Sequence, residues 1–263
     1  VKRNLAISYL VILFSAALVV PVFFPDLGTH IDLDKALILP SGSYWFGTDS
    51  MGRDLVFRVL MGAQTTVFVG VTSALISIFL GSLIGIGLSL MPRFLEQIFL
   101  RFVEVVDSVP SVIWVCLLFV SFYKEGSSLL FMIVAMFSVG WISSAKISRI
   151  ASHKIISAQY IEAAQAMGVS KLRLIFKHIF PNMKESVISI FCYQLTYFFI
   201  FDSVLSFYGF GIQPPGLSWG VLILDGWKSI AFYPHLLVCP SAVLFVTILS
   251  LNIIIRSLKR ENQ

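Results

Sequence analysis

Charged side chains set inside apolar runs are the residues of this chain whose type and spacing could do chemistry. Arg101, Glu104 and Asp107 lie in the first turns of an apolar segment, Gln97 to Phe122, and Pro110 follows them. Asp202 lies near the outer end of another, Glu185 to Tyr208. A charge in a membrane span is costly unless it is paired or hydrated. Arg101 and Glu104 are i, i+3 neighbours and can pair on one helix face. Near the cytoplasmic end they can also reach for water. Glu104 and Asp107 therefore have two readings, a structural ion pair or a contact with a path through the membrane. Asp202 has two as well, an acid satisfied by a nearby polar group or water, or a gate or path residue. This is chemistry of charge placement. The chain has no Walker P-loop, no GxSxG and no HExxH, so no catalytic constellation is visible. His30, His153, His178 and His235 are far apart, with no zinc, haem or iron–sulfur spacing. Cys116, Cys192 and Cys239 sit inside apolar runs and read as small buried hydrophobes.

The elements that position these residues are membrane helices. The chain has 263 residues, 57% of them hydrophobic and 13% charged. A soluble domain carries about 25% charged residues. Crossing a hydrocarbon core of ~30 Å takes ~20 apolar residues as a helix. The apolar runs do not alternate, which argues for helices rather than barrel strands. Six spans are expected: Leu5–Phe24, Thr65–Leu90, Gln97–Phe122, Ser127–Ile147, Glu185–Tyr208 and His235–Ile255. The first run is too long for a typical signal-peptide core and reads as a retained helix. In the second, Gly81 and Gly85 form a GxxxG step that lets a neighbouring helix come close.

Basic residues orient the spans. With the N-terminus inside, the inner side holds Lys2, Arg3, Arg93, Arg101, Lys146, Arg149, Lys154, Lys171, Arg173, Lys177, Lys184, Arg256, Lys259 and Arg260. The outer side holds Lys35, Arg53, Arg58, Lys124 and Lys228. Fourteen against five obeys the positive-inside rule and places both termini in the cytoplasm. The net charge of +5 reports topology rather than nucleic-acid binding.

Between the fourth and fifth spans lies a polar island, Tyr160 to Pro181, also on the cytoplasmic side. Residues Glu162 to Met167 are good helix formers, and Gly168 is a helix-ending residue. Ser170 is an N-cap candidate for a second helix and Pro181 a stop. Leu172, Ile175, Phe176 and Ile179 fall at i, i+3, i+4 and i+7 and predict one apolar stripe. From spacing alone the island is an amphipathic hairpin at a membrane surface or an ordinary basic loop.

Three motifs, in order along the chain, resemble one family. Glu162-Ala163-Ala164, three further residues, Gly168, then His178-Ile179-Phe180-Pro181-Asn182 resembles the EAA loop of ABC-importer permeases. Phe46-Gly47-Thr48-Asp49 with Gly52-Arg53-Asp54 is similar to the FGTDxxGRD signature of the peptide-class permeases. Those residues are expected to hold their loop against helix ends. Asp202-Ser203-Val204-Leu205-Ser206-Phe207-Tyr208-Gly209-Phe210-Gly211-Ile212-Gln213-Pro214-Pro215 with Ser218-Trp219-Gly220 resembles the family's ExxLSFLGLGxQPPxxSWG. Its Gly and Pro content predicts that the backbone leaves the helix there, as a short re-entrant outer segment.

The resemblance is to permeases of the dipeptide/oligopeptide/nickel class of ABC importers. It implies an all-α polytopic fold of about six transmembrane helices with a cytoplasmic EAA coupling hairpin. Residues 1–64 would be the first helix and extracytoplasmic loop, 65–256 the permease core with its coupling loop at 151–184, and 257–263 a cytoplasmic tail. Glu162, Ala163, Ala164, Gly168 and Pro181 would couple to an ATPase. Asp202, Glu104 and Asp107 are the candidates for the translocation path or gate. The implied partners are the bilayer, a second homologous permease, two ATPase subunits that hold the ATP and magnesium, and an extracytoplasmic solute-binding protein. No cofactor is expected on this chain and no enzymatic activity of its own. The implied location is the bacterial inner membrane. Peptides are the expected solute, and nickel or another small solute is the alternative. An ion-coupled carrier working alone is the other class; no internal repeat supports it.

Overall fold

The computed structural model describes residues 2–261, without the side chains of Pro25, Gln165 and residues 258–261. Lys259 and Arg260, counted on the inner side above, thus have side chains outside those described, as do the last two residues of the 257–263 tail.

Helix α1 is Lys2–Phe23. Two 3-10 turns, Pro25–Gly28 and Leu33–Lys35, follow it in the loop before the second helix. Then come α2 (Leu55–Ser89), α3 (Arg93–Asp107), α4 (Ser111–Phe122) and α5 (Ser128–Ile156). The polar island contains α6 (Gln159–Ala166), α7 (Lys171–Leu174), a π-turn (Ile175–Ile179) and α8 (Phe180–Asn182). The chain ends with α9 (Lys184–Phe207), α10 (Trp219–Lys228) and α11 (His235–Glu261). Among the described residues there is no strand, only an isolated bridge between Thr48 and Asp54. Helices α1, α2, α5, α9 and α11 are each long and apolar enough to cross a membrane. The bent pair α3 and α4 makes a sixth crossing if it is one span. The all-α architecture expected from the sequence is the one observed.

Three boundaries differ from expectation. Helix α5 runs on to Ile156 rather than ending at Ile147. The other two have a clear local cause. The third span is not one helix, because α3 and α4 meet at a bend of 77°. Pro110 has no N–H to give, and it pushes Val109 away from helical backbone angles. The second helix starts at Leu55 rather than Thr65, because Asp54 caps it by accepting the Val56 N–H at 2.7 Å. At 35 residues α2 is about 50 Å long and overshoots the hydrocarbon.

The described residues form two compact units. One comprises Val1–Val71, Phe122–Met132 and Leu195–Gln263. In it the Tyr9 hydroxyl on α1 lies 3.3 Å from the Val243 carbonyl and from the Thr247 hydroxyl on α11. The other comprises Thr72–Ser121 and Ile133–Gln194. There α2 and α5 touch along the expected glycine step. A Cβ on Gly81 would lie 2.6 Å from Ser144 Cβ, and one on Gly85 would lie 2.8 Å from Arg149 N. Paired hydroxyls line the same seam, Ser82 with Ser148 at 2.9 Å and Ser89 with Ser152 at 2.5 Å. Gln194 on α9 donates to the Gly140 carbonyl at 2.7 Å and the Ser144 hydroxyl at 2.9 Å.

The seam predicts opposite outcomes for one chemical change. Gly85→Ala should lower stability by about 1–3 kcal/mol, because the methyl meets backbone that cannot yield. Gly87→Ala has nothing within 4 Å of the new methyl. It should raise stability by about 0.5–1 kcal/mol through helix propensity. Thermal unfolding of the purified protein in detergent checks both signs.

Candidate functional site

The polar island is the hairpin the sequence predicts. Helix α6 closes with Gly168 at a φ of +78°, and Val169 N–H donates to the Ala164 carbonyl at 3.2 Å. That is the Schellman ending, which needs a left-handed residue at the Gly168 position. A Cβ on Gly168 would have open space around it. The glycine is therefore required by the turn, not by close packing. Ser170 caps α7 by accepting the Arg173 N–H at 3.4 Å. At the hairpin's base Asn182 donates to the Tyr160 hydroxyl at 3.3 Å and to the His178 carbonyl at 2.6 Å.

The predicted apolar stripe is corrected by the structure. Leu172 is 69% exposed and Phe176 56% exposed, whereas Leu174 and Ile179 are buried. Of the expected stripe, Ile179 is buried and Ile175 packs beside it, but Leu172 and Phe176 turn outward. Leu174 and Ile179 stand five residues apart, the repeat of a π-turn, which an α-helical period does not follow. Pro181 supplies a reason for the π-turn, since it has no N–H for the carbonyl one turn back. Nor does Pro181 stop the helix. The run continues to Asn182 and breaks at Met183, where φ is −92° and ψ 4°. Leu174 and Ile179 pack with Ile161, Ala164, Met183 and Ile86 of α2 in one buried cluster. Ala164 thus seats the hairpin, while Glu162, Ala163, Gly168 and Pro181 are exposed together with Met167, Leu172 and Phe176. The result is a seated hairpin whose exposed surface mixes apolar side chains with the bases Lys171, Arg173 and Lys177 and the acid Glu162.

The charges of α3 find partners. Arg101 donates to Glu104 at 2.9 Å, an exposed pair. Asp107 does not join that pair; it accepts from Lys146 of α5 at 2.5 Å. The sequence reading missed Glu96. It is buried on α3, and its Oε1 accepts from Arg149 Nε at 2.5 Å and lies 2.9 Å from His153 Nε2. The available signal was the i, i+4 spacing of Arg149 and His153, which places two basic groups on one face of α5.

Asp202 is buried on α9, and the structure brings three partners to it. Its Oδ2 accepts from the Thr66 hydroxyl of α2 and from Gly220 N–H, each at 3.3 Å. The Ser218 hydroxyl also bonds to the carboxylate. Ser218 is the N-cap of α10. The carboxylate therefore sits at the positive end of that helix. Thr66 relays further by accepting the Trp219 N–H at 3.0 Å, and the Trp219 indole donates to the Val59 carbonyl at 3.0 Å. Small residues make room for the clasp. A Cβ on Gly220 would fall 2.8 Å from the Asp202 carbonyl, and one on Gly211 would fall 2.8 Å from Ser206 Cα. Helix α10 has ten residues, about 15 Å, too short to cross a membrane.

The motif of residues 46–54, in the loop between α1 and α2, is scaffold. Asp49 accepts from the backbone N–H groups of Met51 and Arg53 at 2.8 and 3.0 Å. Its other oxygen lies 2.7 Å from Arg53 Nε and 3.1 Å from Arg58 Nε. Thr48 donates to the Lys35 carbonyl and accepts from Ile38 N–H. Burial raises the pKa of the Asp54 carboxyl above its ordinary value.

This arrangement has the parts of a transport permease: long apolar helices, a broken span, and a seated polar hairpin between two spans. The chain belongs to the family described as binding-protein-dependent transport system inner membrane component, whose model matches residues 77–260. It is a multi-pass inner-membrane protein. Among its relatives, the oligopeptide transport system permease protein OppC of Salmonella typhimurium is 36% identical over 95% of this chain and 83% of its own length. OppC of Bacillus subtilis is 32% identical over 82% of this chain and 70% of its own length. The glutathione transport system permease protein GsiD of Pectobacterium atrosepticum is 28% identical over 87% of this chain and 75% of its own length. A chain of the inward-facing MetNI methionine ABC transporter superposes with a TM-score of 0.64 at 16% identity. The superposition covers 78% of this chain and 97% of that one, and at that identity it speaks for the fold.

Proposed function

We propose that this chain is one permease subunit of an ATP-driven importer of short peptides. It forms half of the translocation path with a second, homologous permease. The observation that carries this reading is the hairpin, whose Ala164 is buried while Glu162, Ala163, Gly168 and Pro181 stand exposed. Such a surface suits docking into an ATPase subunit. The names of the oligopeptide and glutathione relatives support a peptide as the solute. ATP and magnesium would be held by two ATPase subunits, so this chain needs no cofactor and performs no hydrolysis. A solute-binding protein would deliver the peptide from outside, and both termini would be cytoplasmic. ATP binding would draw the ATPase pair together and carry the hairpin with it. The spans would then re-pack from inward-open to outward-open between two discrete arrangements. Asp202, Glu104 and Asp107 would lie along the path or its gate.

The test is co-purification from native membranes in mild detergent, with the associated chains identified by mass. A second permease and ATPases are expected. Recovery of this chain alone, still transporting in vesicles without ATP, would replace the importer with an ion-coupled carrier.

A further inference from the structure

Glu96 sits where three elements meet, beside the seat of the hairpin. The last turns of α5 carry two faces. Arg149, Ser152 and His153 face α2 and α3, with Arg149 and His153 on the Glu96 carboxylate and Ser152 on Ser89. Ala151, Ile155 and Ile156 pack against the cluster that holds the hairpin through Ile161, Leu174 and Ile179. A displacement of the hairpin must therefore move these turns of α5, and Glu96 is the charged group by which α3 grips them.

Helix α3 is held at two points. From Glu96 to Asp107 is about 16 Å along α3, whereas their partners Arg149 and Lys146 are about 4.5 Å apart along α5. Lys146 and Arg149 therefore splay apart to hold α3 at two separated points. The 77° bend into α4 begins just beyond Asp107. The two attachments differ in strength. Asp107 and Lys146 are solvent-exposed, with side chains 52% and 38% accessible, so water and salt screen them. Glu96 is 8% accessible, and a buried carboxylate that loses its partners is not rescued by solvent. Such pairs add little net stability over apolar packing, and their best-attested use is to fix register.

We propose that Glu96 is the positioning residue through which the hairpin moves α3 and α4. The inference rests on the importer reading above. It separates the work of ATP hydrolysis from the work of moving solute, because Glu96 lies outside the hairpin surface that meets the ATPase.

The test uses the complete transporter, with its partner chains, in sealed vesicles, and reads peptide imported per ATP hydrolysed. Glu96→Gln keeps the shape and removes the charge. Assembly and ATP hydrolysis should stay near wild type, while the melting temperature falls because Arg149 loses its counter-charge. Import per ATP should fall about tenfold, the scale on which single residues modulate coupling between sites. Glu96→Asp, which keeps the charge, should recover much of the loss. An unchanged ratio in Glu96→Gln overturns the proposal. So does a parallel loss of assembly, hydrolysis and import that Glu96→Asp does not relieve, which marks a purely structural role. Wild-type vesicles that import without ATP would instead overturn the importer reading itself.

Discussion

Gly168→Trp is expected to abolish ATP-driven uptake while leaving the chain inserted and folded. The backbone at this position has a φ of +78°, which an L-residue adopts at a cost of about 1–2 kcal/mol. That strain is confined to one turn of an exposed hairpin. The hairpin's seat, made by Ile161, Ala164, Leu174 and Ile179, lies on its other side and is untouched. No atom stands within 4 Å of the new Cβ, so the side chain leaves the backbone into open space. It projects from the surface that also exposes Glu162, Ala163 and Met167, where an ATPase would sit. Gly168→Ala separates the two causes, because it carries the same strain without the bulk. Membrane abundance, ATPase co-purification and uptake should all stay near wild type in Gly168→Ala. In Gly168→Trp the last two should be lost and only abundance retained. Uptake by Gly168→Trp at the wild-type rate would remove the hairpin from the coupling role. Equal loss in both variants would trace the defect to the turn and not to a docking surface.

What the sequence made legible was whatever depends on composition and short spacing. Apolar runs of twenty residues predict helices because lipid offers no other partner for the backbone. Gly168 and Ser170 predict the hairpin's turn because their roles are local. The GxxxG step foretold a close helix contact, although not that Ser144 and Arg149 of α5 would form it. Legibility failed where a local rule was carried across a change of geometry. The stripe through Leu172 and Phe176 assumed an α-helical period across residues that form a π-turn. The third span was drawn straight through Pro110 on hydropathy, which does not register direction. The partners of Glu96 lie 53 and 57 residues away, and no short-range pattern pairs them. The same holds for Asp202 and Thr66, separated by 136 residues.

Asp202 offers the second large effect, because its carboxylate is the common acceptor of three donors. Asp202→Leu removes every acceptor oxygen at once. The Thr66 hydroxyl, the Ser218 hydroxyl and the Gly220 N–H are then left without their partner. Each buried donor left unpaired costs about 1–3 kcal/mol, so the variant should lose about 3 kcal/mol or more. Asp202→Asn keeps one acceptor oxygen of the same shape and should lose about 1 kcal/mol. Melting of the purified protein in detergent gives the ranking, and a Leu variant as stable as the Asn variant would show that the carboxylate does not hold α10. Uptake then divides the two readings of this acid. If Asp202 serves the clasp alone, uptake per correctly folded molecule should be preserved in Asp202→Asn, since the geometry at Ser218 and Gly220 survives. If that variant folds and assembles yet no longer imports, the negative charge itself is used, and Asp202 belongs to the path or its gate as well as to the clasp. The asparagine variant decides between them because it changes charge and leaves shape alone, which neither leucine nor alanine does.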